Sequence, residues 1–205
     1  MLFNSFQFLF FFIIVTSLYF TLPYKSRWFL LLAASCYFYM AFVPIYILIL
    51  GFTIVIDYYA GIFIENASGS RRKLFLTISL IANIGVLAIF KYYNFLNDNF
   101  SFLMQGFGLE NPIPYLSILL PVGLSFHTFQ SLSYVFEVYH GRQQPEKHLG
   151  IYATYVMFFP QLVAGPIERP QNLLPQFREK YPLLYENFSI GFRLALYGFF
   201  KKMVI

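Results

Sequence analysis

The length of the uncharged runs limits most strongly what this chain can fold into. No charged residue occurs from Met1 to Tyr24, and within that stretch Phe6 to Leu22 is almost wholly apolar. Those roughly 17 residues come close to the ~20 needed to cross the hydrocarbon core of a bilayer. A basic start and a small-residue cleavage site are both missing, so the run reads as an anchor and not as a removed signal. Lys25 and Arg27 follow it directly. A second uncharged run goes from Trp28 to Ile56 and, past the single Asp57, on to Ile64. As one helix it would measure roughly 55 Å, too long for one crossing. Two shorter helices hinged near Pro44, whose missing N–H breaks the ladder, account for it.

Composition removes the main alternatives. The 205 residues are 59% hydrophobic and 11% charged, with 28 Phe and 17 Tyr. That charge fraction is under half of the roughly 25% usual in soluble domains. A globule of this size has no room for so much apolar surface, which excludes a soluble enzyme. A disordered chain is excluded by the same numbers. The single Cys36 excludes an intramolecular disulfide framework and a Cys-based zinc site. It reads as a packed small hydrophobe in preference to a lipidation site. A net charge of +5 would suit a nucleic-acid binder only if it formed a dense basic face. Here the basic residues sit at the ends of apolar runs, the pattern of membrane topology, and no nucleic-acid partner is expected. The predicted class is an all-α, polytopic transmembrane helical protein with broken or re-entrant segments. Residues 1–205 are expected to form a single membrane-embedded unit, without internal repeat or low-complexity linker.

Charge placement gives an expected orientation. The polar loop from Glu65 to Lys73 carries Arg71, Arg72 and Lys73. If it and Lys25/Arg27 both face the cytoplasm, the Pro44 hairpin supplies two crossings between them and the N-terminus is outside. Leu74 to Leu96 then crosses outward, with Lys91 snorkelling near its far end. Asp98 to Pro114 contains Asp98 and Glu110 but no Lys or Arg, as an external loop would. Tyr115 to Phe136 returns to Arg142 and Lys147. Leu149 to Ile167 is uncharged but interrupted by Pro160, Gly165 and Pro166, and Arg169, Arg178 and Lys180 follow on what must be the same side. This segment is expected to dip into the membrane and return, its irregular backbone buried in protein or lining a wet cavity. A further apolar helix, with Arg193, Lys201 and Lys202, begins at Phe188 and runs to Ile205. The expected location is the cell (inner) membrane, multi-pass.

No glycine-rich phosphate loop, GxSxG elbow, HExxH or CxxC motif occurs. Of three histidines, His140 and His148 lie in a charged loop and read as solvated imidazoles. The informative segment is Leu119 to Gly141, LLPVGLSFHTFQSLSYVFEVYHG. At 100° per residue His127, Gln130, Ser131, Tyr134 and Glu137 share an arc of about 120°, so one face of a membrane helix is polar. Such a face must point at protein or water. It is either a hydrogen-bonded seam between helices or the lining of a substrate tunnel. Pro121 and Gly123 sit where a helix start or kink would expose backbone groups. Asp57 reads as an acid near a membrane interface, paired or wetted and not catalytic. Trp28, Tyr37 and Tyr39 fit interfacial belts and helix packing. Asn66, Asn99 and Asn187 each open an N-x-S sequon, idle unless the chain meets a glycosylation machinery.

PVGLSFHTFQSLSYVFEVYHG, followed some twenty residues later by FFPQLVAGPIERPQNLLPQF, resembles the membrane-bound O-acyltransferase family in its alginate O-acetyltransferase-like branch. LLLAASCYFYMAF near the start and GFRLALYGFFKK near the end resemble that branch in order and spacing. The departures are Glu137, where Asp is common, and His140, where Arg is usual. The resemblance implies a multi-span enzyme that passes an acyl group from a cytoplasmic thioester such as acetyl-CoA, a substrate and not a bound cofactor, to a hydroxyl. In this branch the acceptor is commonly an extracytoplasmic polysaccharide, and a partner acyltransferase outside the membrane is often involved. The family's catalytic histidine lies in a tryptophan-histidine-glycine type motif of the C-terminal half, and no such motif occurs here. The chain is therefore expected to be an N-terminal part that stops within a helix at Ile205, inactive without its C-terminal half. It would supply scaffold and part of a tunnel.

An alcohol attacking a thioester needs a general base and donors for the developing oxyanion. Gln130, Ser131, Ser133 and Tyr134 are the candidate tunnel donors, and Arg142 and Arg169 the candidates for attracting an anionic donor at the cytoplasmic mouth. No residue is assigned as the base; His127, the one intramembrane histidine, is the fallback. No metal site is expected. Broken helices and a polar intramembrane face would serve a transporter or a non-enzymatic membrane partner equally well.

Overall fold

The computed structural model describes residues 3, 5–41, 44–115, 123–162 and 165–204. Among them the order is α1 (Phe6–Thr21), α2 (Arg27–Met40), α3 (Tyr46–Asn66), α4 (Ser70–Gly106), α5 (Leu124–Tyr139), α6 (Leu149–Met157), α7 (Phe159–Leu162), α8 (Pro170–Leu173) and α9 (Tyr185–Val204), with no strand. The all-α class holds. Two of these helices, α3 and α4, are long and apolar enough to cross a membrane, and α1 is a shorter apolar helix.

Helix ends follow local chemistry. The Ser5 hydroxyl accepts from the Phe8 amide at 3.2 Å and opens α1, which stops just before Pro23. The long apolar run divides as expected: α2 and α3 are separate helices with Pro44 in the turn between them. Gly123 begins α5 with φ 79°, a left-handed conformation that glycine adopts without a Cβ clash. Pro121 lies outside the described residues.

The core forms where α3, α5 and α6 meet, closed by α2 on one side and the first half of α4 on another. On α3, Leu50, Thr53, Ile54, Asp57, Tyr58, Gly61 and Ile64 are buried, a helical stripe. Leu48, Phe52, Val55, Tyr59 and Phe63 on its other side are exposed. Gly61 permits the close approach of α5, because a Cβ there would lie 2.9 Å from the Tyr134 hydroxyl. A smaller cluster of Val15, Ala34, Phe38 and Phe159 joins α1 to α2 and α7.

Two expected segments change their bounds. The segment Asp98 to Pro114 is not a loop throughout, since α4 continues to Gly106. Nothing between Lys91 and Gly106 breaks a helix, and at roughly 55 Å α4 outruns a hydrocarbon core of about 30 Å. The chain then folds back along its end. Asn111 donates to Asn97 Oδ1 and Ser101 Oγ, both at 2.6 Å, and Asn97 donates to the Ile113 carbonyl at 3.2 Å. The expected span Tyr115 to Phe136 becomes α5, shifted to Leu124–Tyr139, with residues 116–122 outside the described set. Of the residues assigned to interfacial belts and helix packing, Tyr39 is buried in the core, whereas Tyr37 is exposed. The proline-rich stretch breaks as expected: α6, α7 and α8 have nine, four and four residues.

Candidate functional site

The polar face of α5 is turned inward. His127, Gln130, Ser131 and Tyr134 are all essentially inaccessible. Three rungs cross from α5 to α3. In the first, His127 Nε2 lies 2.9 Å from Thr53 Oγ1. The Thr53 hydroxyl also lies 3.0 Å from the Leu50 carbonyl. His127 Nδ1 makes no hydrogen bond among the described residues. One turn along, Asp57 of α3 and Ser131 of α5 face each other. The third rung is the Gly61–Tyr134 contact.

Asp57 is buried midway along α3 and is paired, one of the two states expected of it. Its carboxylate is held from α4, where Ser79 and Asn83 occupy one face four residues apart. Ser79 Oγ donates to Oδ1 at 2.6 Å, and Asn83 Nδ2 donates to Oδ1 at 2.8 Å and Oδ2 at 3.0 Å. Among the described residues no cationic side chain pairs with it. Among the described residues, both ends of the Gln130 amide, Ser131 Oγ and the Tyr152 hydroxyl of α6 are buried and make no hydrogen bond of good geometry. Unpaired buried polar groups are costly, so a set of them at one helix junction calls for an explanation.

The remaining candidates separate. Ser133 is half-buried. Tyr134 accepts from the Glu146 amide at 2.9 Å, which leaves its own hydrogen available. Glu137 is half-buried, accepting from Gln171 at 2.7 Å and pairing with Arg142 at 3.7 Å. The Arg142 side chain is nevertheless 67% exposed. Arg169 is exposed and immediately precedes α8, next to Gln171, which brings it to the same end of the molecule. His140 and His148 are both exposed as expected, and His148 also caps α6: its Nδ1 accepts from the Ile151 amide at 3.3 Å and its ring packs on Trp28.

Sequence reading missed Ser79, Asn83, Tyr152 and the ion pair of Arg178 with the buried Glu146. Ser79 and Asn83, four apart in an apolar run, were the available signal. Contacts also tie the basic clusters to one end. Arg72 donates to the Tyr139 carbonyl at 2.7 Å, Tyr58 to the Lys147 carbonyl at 2.7 Å and Arg27 to the Tyr181 carbonyl at 3.0 Å. Lys180 lies over the Tyr24 ring and Trp28 packs on His148, so residues 25–28, 72, 147–148 and 178–181 cap the same end.

Among curated proteins, the chain is 35% identical over 209 aligned residues to "Probable alginate O-acetylase AlgI" of Azotobacter vinelandii, covering all of the chain and 41% of that relative. The protein of the same name in Pseudomonas aeruginosa is 34% identical, matched over all of the chain and 40% of its own length. "Peptidoglycan O-acetyltransferase" of Helicobacter pylori is 31% identical over 85% of the chain and 37% of the relative. The chain thus spans about two-fifths of the length of the curated relatives it matches. No family model matches the chain, and no solved structure matches it. With full-length coverage of the chain by these relatives, the chain belongs to the membrane-bound O-acyltransferase family, in its alginate O-acetylase-like branch. It is a membrane protein of all-α architecture.

Proposed function

We propose that this chain is part of an O-acetyltransferase that moves an acetyl group from a cytoplasmic thioester of the acetyl-CoA class to a polysaccharide hydroxyl outside the membrane. The observation that carries this reading is the Gln130 amide, buried beside the α3–α5 rungs with no hydrogen bond to either end among the described residues. A seam that only held helices together would pair its donors with its acceptors. Donors left free at a helix junction are available to an oxyanion or an acceptor hydroxyl, the groups that develop charge in acyl transfer. Gln130, Ser131 and Tyr134 serve as that lining, with Ser133 at its edge. Arg142 and Arg169 draw the anionic donor to the basic end. The chain provides scaffold and lining; the general base comes from a Trp-His-Gly type motif elsewhere in the complete protein, and an acyltransferase outside the membrane works with it.

In this reading the chain is multi-pass in the cell (inner) membrane, with its N-terminus outside. The gathering of Lys25, Arg27, Arg72, Lys147, Arg178 and Lys180 at one end supports a shared cytoplasmic side. Single-cysteine labelling in a Cys36→Ala background tests the orientation. An impermeant reagent applied outside reaches a cysteine at Gly108 and not one at Gly69; the reverse pattern overturns it. The activity is tested in the complete gene product by release of labelled acetyl onto exported polysaccharide. Loss of transfer in Gln130→Leu and Tyr134→Phe with normal membrane insertion supports the lining.

A further inference from the structure

Helix α1 meets the proline-broken stretch, residues 158–181, at one place and leaves a groove beside it. Where they meet, the Phe8 and Phe11 ring centroids lie 6.5 and 5.2 Å from that of Phe159, and Phe38 of α2 belongs to the same cluster. Next to this cluster is a cavity of about 240 Å³, lined by Phe12, Thr16 and Tyr19 of α1, Leu31 of α2, and Phe158 and Phe177 of the broken stretch. From Phe12 to Tyr19 a helix rises roughly 10 Å, so the groove extends well into the apolar length of α1. Phe12 is also 45% exposed, so the groove can be reached from outside the bundle.

The mouth of the groove is basic. Arg27 joins its two sides: the guanidinium carbon lies 4.7 Å from the Tyr19 ring centroid, and Nη1 donates to the Tyr181 carbonyl at 3.0 Å. Tyr19 and Tyr181 both line the cavity. Arg27 Nε donates to the Leu22 carbonyl at 3.3 Å, and a guanidinium has five N–H donors, so most of the fork stays available. Lys180, next to Tyr181, holds its Nζ 4.9 Å from the Tyr24 ring centroid. Among the described residues neither Arg27 nor Lys180 is ion-paired, whereas Arg178 is paired with Glu146. The neighbouring Glu179 accepts from the Tyr181 hydroxyl at 2.5 Å. An apolar groove with two unpaired cations at its mouth is complementary to a molecule with an apolar chain and an anionic head.

We propose that this groove binds an anionic phospholipid, with an acyl chain along Phe12 to Tyr19 and the phosphate held by Arg27 and Lys180. The planar fork of Arg27 matches two phosphate oxygens, and Lys180 adds a point charge. Basic residues at a membrane surface draw anionic headgroups to it. A zwitterionic lipid brings the same phosphate together with an ammonium group, which the two cations repel, and this sets the preference for net negative charge. The lipid fills the space between α1 and the broken stretch, joining them where no side chain does. The site uses none of the residues assigned to acetyl transfer and holds whether or not the complete protein carries out that reaction.

Native mass spectrometry of the purified protein, released from micelles containing phosphatidylglycerol and phosphatidylcholine with the same acyl chains, reads the lipid retained. The expected result is a single phosphatidylglycerol held several-fold more strongly than phosphatidylcholine. Arg27→Gln combined with Lys180→Gln should abolish that preference. Arg71→Gln combined with Lys73→Gln removes the same charge from exposed positions at the start of α4 and should leave it intact. Thr16→Phe, which fills the groove without touching a charge, should lower retention of both lipids several-fold, and it keeps the test decisive if Arg27→Gln does not fold. Excess glycerol phosphate, a headgroup without a chain, should not compete. Equal retention of the two lipids, the same loss in the Arg71 and Lys73 control, unchanged retention in Thr16→Phe, or displacement by glycerol phosphate overturns the proposal.

Discussion

Helices α3 and α9 are nearly equal in length, 21 and 20 residues, yet they use their surfaces differently. Nine residues of α3 are buried, polar Thr53 and Asp57 among them. None of the described residues of α9 is buried, and it packs on no other helix extensively. Apolarity alone does not separate two helices in lipid, because hydrocarbon tails are as apolar as leucine. What distinguishes α3 is that its small and polar residues recur on one face, so that Gly61 admits Tyr134 and Asp57 collects donors from α4. On α9, Gly191 and Gly198 have open space around them. Small and polar residues at helical spacing, aimed at partners, set where α3 meets α4 and α5, and the apolar residues between them fill the core.

Paired substitutions sharpen that contrast, each read as thermal unfolding in nanodiscs. The largest difference is expected for Leu50→Ala, which opens a cavity at a wholly buried site and should cost about 2 to 5 kcal/mol. Its counterpart Leu194→Ala, at a position 65% exposed, should leave the transition where it is. Next comes Gly61→Ala, whose methyl would sit 2.9 Å from the Tyr134 hydroxyl and 3.1 Å from its ring, with an expected cost of about 1 to 3 kcal/mol from overpacking. Gly191→Ala meets nothing within 4 Å and should stabilise α9 by up to about 1 kcal/mol through helix propensity. The smallest effect belongs to Ser79→Ala, which removes one of the donors at Asp57 and should cost about 1 kcal/mol. Equal sensitivity of the two helices would break the comparison.

Much of the fold was legible because its signals are local. The Pro44 hinge, the Gly123 start and the broken stretch from Leu149 to Ile167 are matters of backbone chemistry, and the inward face of α5 follows from spacing. What escaped is non-local. The partners of Asp57, Ser79 and Asn83, come from another helix, more than twenty residues on. Tyr152 and Tyr39 were hidden among 17 tyrosines, a residue type that in membrane sequences favours the interface. The length of α4 was underestimated because a charge such as Asp98 ends a span in hydropathy, whereas a helix ends only where its backbone is broken. The cap that the exposed His148 makes on α6 depends on the chain turning just before it.

The central claim is that the free polar groups on α5 line a working site and do not merely join helices. Gln130 tests it most directly, being buried with neither end of its amide paired. In the complete gene product, Gln130→Leu should leave thermal stability unchanged, since no hydrogen bond is lost, while acetyl transfer per folded enzyme falls roughly tenfold or more, equivalent to about 1.4 kcal/mol of barrier. Stability and total activity falling together, with normal specific activity in the enzyme that remains folded, would contradict the claim.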